Sequence, residues 1–376
     1  MQFSDVVGQA EIKQQLRRML EEERVPHALL FAGPEGTGKL PMALALAQRL
    51  LCTSPTAGNE ACGQCKGCHM AAKLAHPDLH FVFPVFKPSG QNAPAVSDQF
   101  LAEWRAQVNE SPYFTRQEWL QRIGIDNQQS LINVSEAANI MSKLVTTSSQ
   151  GGRRVVVVWS AEQMNTEAAN KLLKILEEPP AYTHFILTAA RPERLLATIL
   201  SRTQRIDFGP VRTADMQVAL QNRCGLQPED ARFIARASDG NFIKALEQVT
   251  MNADTAQFFD MFVLLMRLCY MRKIKDLHEW SENVAKWGRE KQKSFLEYCQ
   301  RLVRENFIYN FHEEELNYMN RDESNFSVNF ARFINERNVI GISDELAAAQ
   351  RDIEQNVNPR MVFFDFTLKM IVLLIQ

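Results

Sequence analysis

One octapeptide constrains this chain more than any other stretch: Gly33-Pro34-Glu35-Gly36-Thr37-Gly38-Lys39-Leu40. It follows a short apolar run, Ala28 to Ala32, and opens an Ala-, Leu- and Met-rich segment from Leu40 to Leu51. A buried strand, a glycine-rich turn and a helix, in that order, make a phosphate-binding loop. Its glycines let backbone N–H groups converge on phosphate, and the helix N-terminus adds positive potential. Gly33, Gly36 and Gly38 would shape the cradle, and Lys39 would reach the outer phosphates. The hydroxyl that should follow the lysine and ligate Mg²⁺ is replaced by Leu40. The loop is read either as a nucleotide site or as a degenerate turn kept for its geometry.

The rest of the first 210 residues fits an α/β domain with a parallel sheet. Ile12, Leu16, Met19 and Leu20 follow a helical period over residues 9 to 22. Leu79 to Phe83, Arg154 to Trp159, His184 to Thr188 and Gln204 to Phe208 read as further strands. Asn165 can cap a helix that Pro179-Pro180 stops. Strands separated by helices imply a sheet covered on both faces. Residues 84 to 130 interrupt the pattern, with Pro, Gly, Ser and Asn dense early and aromatics dense later. They are read as an insertion partly packed on the surface. Beyond Gly209-Pro210 no strand-like run follows. Short helices over about 210 to 250 give way to long ones over 251 to 376: Phe258 to Met271, Leu277 to Trp287, Phe295 to Phe311 and Glu345 to Ile375.

An active P-loop enzyme also needs an acidic residue after a second strand, to fix Mg²⁺ and position water. The strand Val155 to Val158 runs instead into Trp159-Ser160-Ala161-Glu162. Glu162 stands three residues late and is read as a solvated loop residue or a cap. Both parts of the Mg²⁺ site are absent, so hydrolysis is not expected.

Four of the seven cysteines, Cys52, Cys62, Cys65 and Cys68, follow a C-x9-C-x2-C-x2-C pattern. Four thiolates at that density can close a tetrahedral Zn²⁺ site with no open position, a structural site rather than a catalytic one. His69 and His76 stand near, but four cysteines suffice. Cys224, Cys269 and Cys299 are read as apolar thiols on helices. Ser201-Arg202-Thr203 precedes the last strand. Arg202 is either a surface ion-pair partner or an arginine offered to a neighbouring chain's phosphoryl-transfer site.

Lys plus Arg is 42 and Asp plus Glu 44, a net charge of −2 that excludes a polybasic nucleic-acid tail. The opening residues carry no apolar signal core, so a cytoplasmic location is expected. No apolar run, Ile371 to Ile375 included, is long enough to span a bilayer.

Together these residues resemble the delta prime family of bacterial DNA polymerase III clamp-loader subunits, within the AAA+ superfamily. The matching stretches are FSDVVGQ, HALLFAGPEGTGK, the cysteine module, His76-Pro77-Asp78, NKLLKILEEPP and ILSRTQRIDF, spread over most of the first 210 residues. Beyond residue 210 the likeness is one of architecture alone. It implies an AAA+ domain over 1–209 with an inserted zinc module at about 52–68, a helical lid over 210–250 and a helical collar over 251–376.

The resemblance also separates this chain from the gamma and tau ATPases. Their Asp-Glu pair is Trp159-Ser160 here, their Lys-Thr is Lys39-Leu40, and their nucleotide-sensing lid arginine is Ile243. The family's Ser-Arg-Cys is Ser201-Arg202-Thr203, and the 84–130 insertion is long for the family. The implied role is a clamp-loader subunit of the polymerase III holoenzyme that does not hydrolyse ATP. It would assemble with gamma or tau and delta, act on the sliding clamp and primed DNA, and offer Arg202 with Ser201 to the adjacent ATP site. Structural zinc is expected, and ATP binding is not. A second reading is a gamma- or tau-like ATPase with an atypical Mg²⁺ site, which requires Glu162 or an insertion residue as a metal ligand. Within a ring, direct DNA contact would run through Lys143 or Arg153 and Arg154; a third reading is a zinc-dependent nucleic-acid module. The near-neutral composition and the lack of aromatic-basic interleaving around the cysteines weigh against it.

Overall fold

The computed structural model describes residues 1–86, 95–124, 130–145, 152–311, 319 and 321–375. The chain divides into two compact units, Met1–Val249 and Thr250–Gln376.

The first unit is built on five parallel strands: β1 (Ala28–Ala32), β2 (Leu79–Val82), β3 (Arg154–Val158), β4 (Thr183–Ala189) and β5 (Gln204–Asp207). Their order is β2-β3-β4-β1-β5. Ala28 aligns with Phe185 on one side of β1, and Leu29 with Gln204 on the other. Every residue of β1 and of β3 is buried, as expected of strands covered on both faces. Odd and even positions serve different cores. Leu29, Phe31, Val155 and Val157 join one cluster, whereas Leu30, Ala32, Val156 and Val158 join the other.

Helices α1 (Ala10–Glu21), α2 (Lys39–Leu50) and α3 (Lys66–Ala72) come from the first third of the unit. The insertion supplies α4 (Leu101–Glu110) and α5 (Arg116–Arg122). Then follow α6 (Val134–Val145), α7 (Thr166–Glu177) and the short α8 (Ala197–Leu200). Asn165 caps α7 by accepting from the Ala168 N–H at 2.8 Å. Past β5 only helices follow: α9 (Thr213–Cys224), α10 (Pro228–Ala237) and α11 (Phe242–Met271).

The second unit is helical throughout its described residues. It adds α12 (Ile274–Ala285), α13 (Arg289–Tyr309), α14 (Arg321–Phe330), α15 (Val339–Glu354) and α16 (Pro359–Leu373) to the end of α11. Its core is one cluster rich in aromatics, including Phe262, Trp280, Phe295 and Phe363. No helix among the described residues is long and apolar enough to cross a membrane.

The structure corrects three expectations. The single helix read over Glu345 to Ile375 is two, α15 and α16. Asn356 takes a left-handed φ of 65°, Asn358 caps α16, and Pro359 stands in its first turn, a break that apolar periodicity does not register. Helix α14, with two Ser and two Asn in ten residues, escaped the sequence reading because its apolar periodicity is weak.

The insertion, expected to pack partly on the surface, reaches the core. Residues 87–94 and 125–129 lie outside the described residues, but Trp104 and Trp119 are fully buried. Trp104 stacks on Phe83 with ring centroids 4.4 Å apart and meets Trp119 edge-on at 5.3 Å. The Trp119 indole N–H donates to Pro84 O at 2.9 Å. Arg154 is likewise no nucleic-acid contact, because it is buried and donates to Leu144 O at 2.8 Å. Lys143 is ion-paired with Asp98 at 2.5 Å.

Removing a buried tryptophan leaves a cavity worth about 3–5 kcal/mol. Trp104→Ala is therefore expected to lower the unfolding free energy by that amount in urea titration. A loss below about 1 kcal/mol would return the insertion to the surface.

Candidate functional site

The phosphate loop stands at the carboxyl end of β1, between β4 and β5. Its shape depends on glycine at two points. A Cβ on Gly33 would lie 2.2 Å from Phe208 O, and one on Gly36, at φ 73°, would lie 1.8 Å from Asn241 Oδ1. Gly38, at φ 89°, is the N-terminal cap of α2. The loop therefore forms as the sequence predicts, and Gly33, Gly36, Gly38 and Lys39 come together.

The lysine, the threonine hydroxyl and one carbonyl of the loop are engaged with the chain itself. Lys39 Nζ donates to Gly33 O at 2.6 Å and also to Pro34 O. Thr37 Oγ1 donates to Pro34 O at 2.9 Å. The Gly36 carbonyl accepts from Phe242 N–H at 3.0 Å. Burial pushes the Lys39 ammonium down to about 8, against the opposing pull of Glu162 and Glu35. Leu40, where a metal-binding hydroxyl would stand, is buried.

Aromatic and apolar side chains close the space in front of the loop. Trp159, at the end of β3, packs on Phe114 and Trp104 with centroids 5.0 and 5.4 Å apart. Tyr113 accepts from Val7 N–H at 2.9 Å and meets Phe242 edge-on at 4.8 Å. The cavity left among Lys39, Tyr113, Phe114, Trp159 and Ile243 is about 50 Å³, against roughly 300–1,000 Å³ for ordinary small-molecule sites. Sequence reading did not find Tyr113 and Phe114 here. The aromatic density of the insertion was visible, but not the place where it returns to the loop.

Glu162 is not a solvated loop residue. Its carboxylate accepts from Ala190 N–H at 3.0 Å, and its charge is felt at Lys39. Ser160, at φ 53°, is held by its N–H to Thr188 Oγ1 at 3.3 Å.

The four predicted cysteines converge. The sulfurs of Cys52, Cys62, Cys65 and Cys68 all lie within 4.8 Å of one another. The Cys62–Cys68 and Cys65–Cys52 distances are 3.9 and 4.0 Å. Zn–S bonds of about 2.3 Å in a tetrahedron place sulfurs about 3.8 Å apart, so the donor set fits zinc. Backbone N–H groups point at the sulfurs: Cys62 N–H to Cys52, Cys65 N–H to Cys62 and Cys68 N–H to Cys65, at 3.3 to 3.4 Å. Burial raises the Cys65 thiol, but the N–H groups of Cys68 and Thr53 outweigh it and bring it to about 5. Gly67 is required between the last two ligands, since a Cβ there would lie 2.4 Å from Leu51 O at the end of α2. Glu60 ties the module to the N-terminus through Arg17 at 2.5 Å and Phe3 N–H at 3.0 Å. A bound ion would brace these turns and supply no open coordination position.

Ser201 and Arg202 lie just past α8. The Ser201 hydroxyl donates to Thr198 O at 3.1 Å. Arg202 Nη1 donates to Thr198 O at 2.9 Å, and Nη2 is paired with Glu177 at the end of α7. The Arg202 side chain keeps 34% of its surface exposed. Thr203 is turned inward, donating to Ile199 O at 3.0 Å.

Metal analysis of the purified chain is expected to find one zinc per chain. Cys65→Ser should abolish it and lower the melting temperature by at least about 5 °C. Zinc-free protein with four freely reactive thiols would contradict the fit.

The sequence profile of the family described as DNA polymerase III, delta subunit, matches residues 8–212, more than half of the chain. A DNA polymerase III subunit delta' from Bacillus subtilis is 30% identical over 265 residues, covering 70% of this chain and 66% of its own. One from Pseudomonas aeruginosa is 35% identical over 176 residues, covering 47% and 41%. A DNA polymerase III subunit gamma/tau from Mycobacterium tuberculosis is 30% identical over 244 residues, covering 64% and 35%. Each match spans less than two thirds of the relative's own length. The profile takes in the loop, the cysteine module and the Ser-Arg pair in a single span, and the chain belongs to the DNA polymerase III delta subunit family.

Proposed function

We propose that this chain acts as a delta'-type clamp-loader subunit in DNA replication, neither holding nor hydrolysing ATP, and lends Arg202 to the ATP site of a neighbouring subunit. The observation that carries this reading is a contrast between two ends of one domain. At the phosphate loop, the lysine, a glycine carbonyl and the surrounding aromatics are all engaged with the chain itself. Across the domain, an arginine of the type that stabilises a transferring phosphoryl group stays half-exposed. A chain that has lost its own Mg²⁺ ligands gains nothing from such an arginine in cis, so its use is in trans.

In this reading the neighbour is a gamma or tau subunit and delta completes the assembly, which opens the sliding clamp and places it on primed DNA. Residues 210–250 take the place of the lid and residues 251–376 form this chain's share of the collar. The locked loop makes the domain a fixed body against which ATP-driven subunits move. Ser201 shapes the turn that presents Arg202, and zinc steadies the 52–68 module. The gamma- or tau-like reading is disfavoured, because one oxygen of Glu162 is taken by Ala190 N–H and apolar Leu40 and Trp159 stand at the two positions where that site needs polar ligands.

The test is ATP turnover in a reconstituted complex whose only hydrolysis-competent site adjoins this chain. Arg202→Ala is expected to leave assembly intact and lower single-site turnover by about 10³-fold or more. Unchanged turnover in a fully assembled complex would refute the trans role.

A further inference from the structure

The Arg202 guanidinium is not extended into solvent. Both terminal nitrogens are committed within the chain, Nη2 to the Glu177 carboxylate and Nη1 to Thr198 O at 2.9 Å and Ser201 Oγ at 3.4 Å. An arginine used in trans must first leave these partners. Glu177 is the last residue of α7. A carboxylate at a helix C-terminus faces the negative end of the helix dipole, so it gains from a cation beside it. Glu178 and Pro179-Pro180 end the helix at that point.

We infer that Glu177 parks Arg202 on its own chain and releases it only to a phosphoryl group presented across a subunit interface. This rests on the trans reading of Arg202 above. Glu177 is a positioning residue, since it acts through Arg202 alone. The side chains of the pair are 34% and 46% exposed, so solvent screens their attraction and the parked state is favoured only modestly. A phosphoryl group carries more charge than a carboxylate and can also be held through two oxygens, and it wins the exchange when held rigidly opposite. A loose or distant anion does not. The exchange makes and breaks no covalent bond: the guanidinium keeps all its protons and changes one anionic partner for another. Glu177 thereby delays the arginine until the neighbouring site is closed around nucleotide, and its unfavourable place at the helix end draws Arg202 back after phosphate leaves.

The test uses the same single-site complex with Glu177→Gln, which keeps the shape of the side chain and removes its charge. Abolishing a parked state of this strength is expected to raise kcat about two- to fivefold with KM unchanged. The gain should vanish when Arg202→Ala is already present, because nothing is then left to park. An unchanged kcat in Glu177→Gln, a fall in kcat, or a change that persists in the Arg202→Ala background would overturn the parking role. If Arg202→Ala alone leaves turnover unchanged, the trans reading itself fails. If Arg202→Ala abolishes turnover while Glu177→Gln is neutral, parking alone fails.

Discussion

The hydrogen bonds from Lys39 to the carbonyls of Gly33 and Pro34 organise the rest of the first unit. A buried ammonium must find acceptors, and burial without them is costly. In a nucleotide-binding loop those acceptors are phosphate oxygens. Here the loop's own backbone supplies them, and the same loop binds Phe242 N–H through Gly36. Asn241, which caps α11 through the Ile243 and Lys244 N–H groups, sits against Gly36 so closely that no side chain fits between. Loop, cap and helix start are thus one packed object.

The insertion completes this arrangement. Its tryptophans enter the core beside β2 and β3, and the segment between them lays Tyr113 and Phe114 in front of the loop. Tyr113 touches three separated parts of the sequence: Val7 by hydrogen bond, Phe242 by ring contact, and Arg223 by a cation over its ring at 5.9 Å. Edge-to-face rings and a buried phenol make rigid contacts. Leu40 is buried in the loop, and Trp159 packs on Phe114 in the aromatic group beside it.

What could be read from sequence was whatever is local. Strand, loop and helix around residues 28 to 51 are specified by apolar runs and glycine spacing, and the four cysteines carry their own geometry. Both are found where the pattern places them. What escaped was long-range. Trp104 and Trp119 sit in a segment with Pro-, Gly- and Ser-rich flanks, so composition pointed outward while tertiary packing drew the rings inward. Glu162 lies too late in sequence to replace the missing acid, and only the turn at Ser160 reveals that it caps Ala190 instead. The partner of Arg202 was equally hidden, since Glu177 is twenty-five residues away in a motif read only as a helix end.

The central claim is that the phosphate loop is satisfied by its own chain. Calorimetric titration of the isolated protein with Mg²⁺-ATP tests it most directly. The account predicts no binding heat up to millimolar nucleotide, because occupying the loop means breaking the Lys39 contacts and expelling the aromatics. Saturable binding with a dissociation constant in the micromolar range would contradict it, and the domain would then be one that opens for nucleotide.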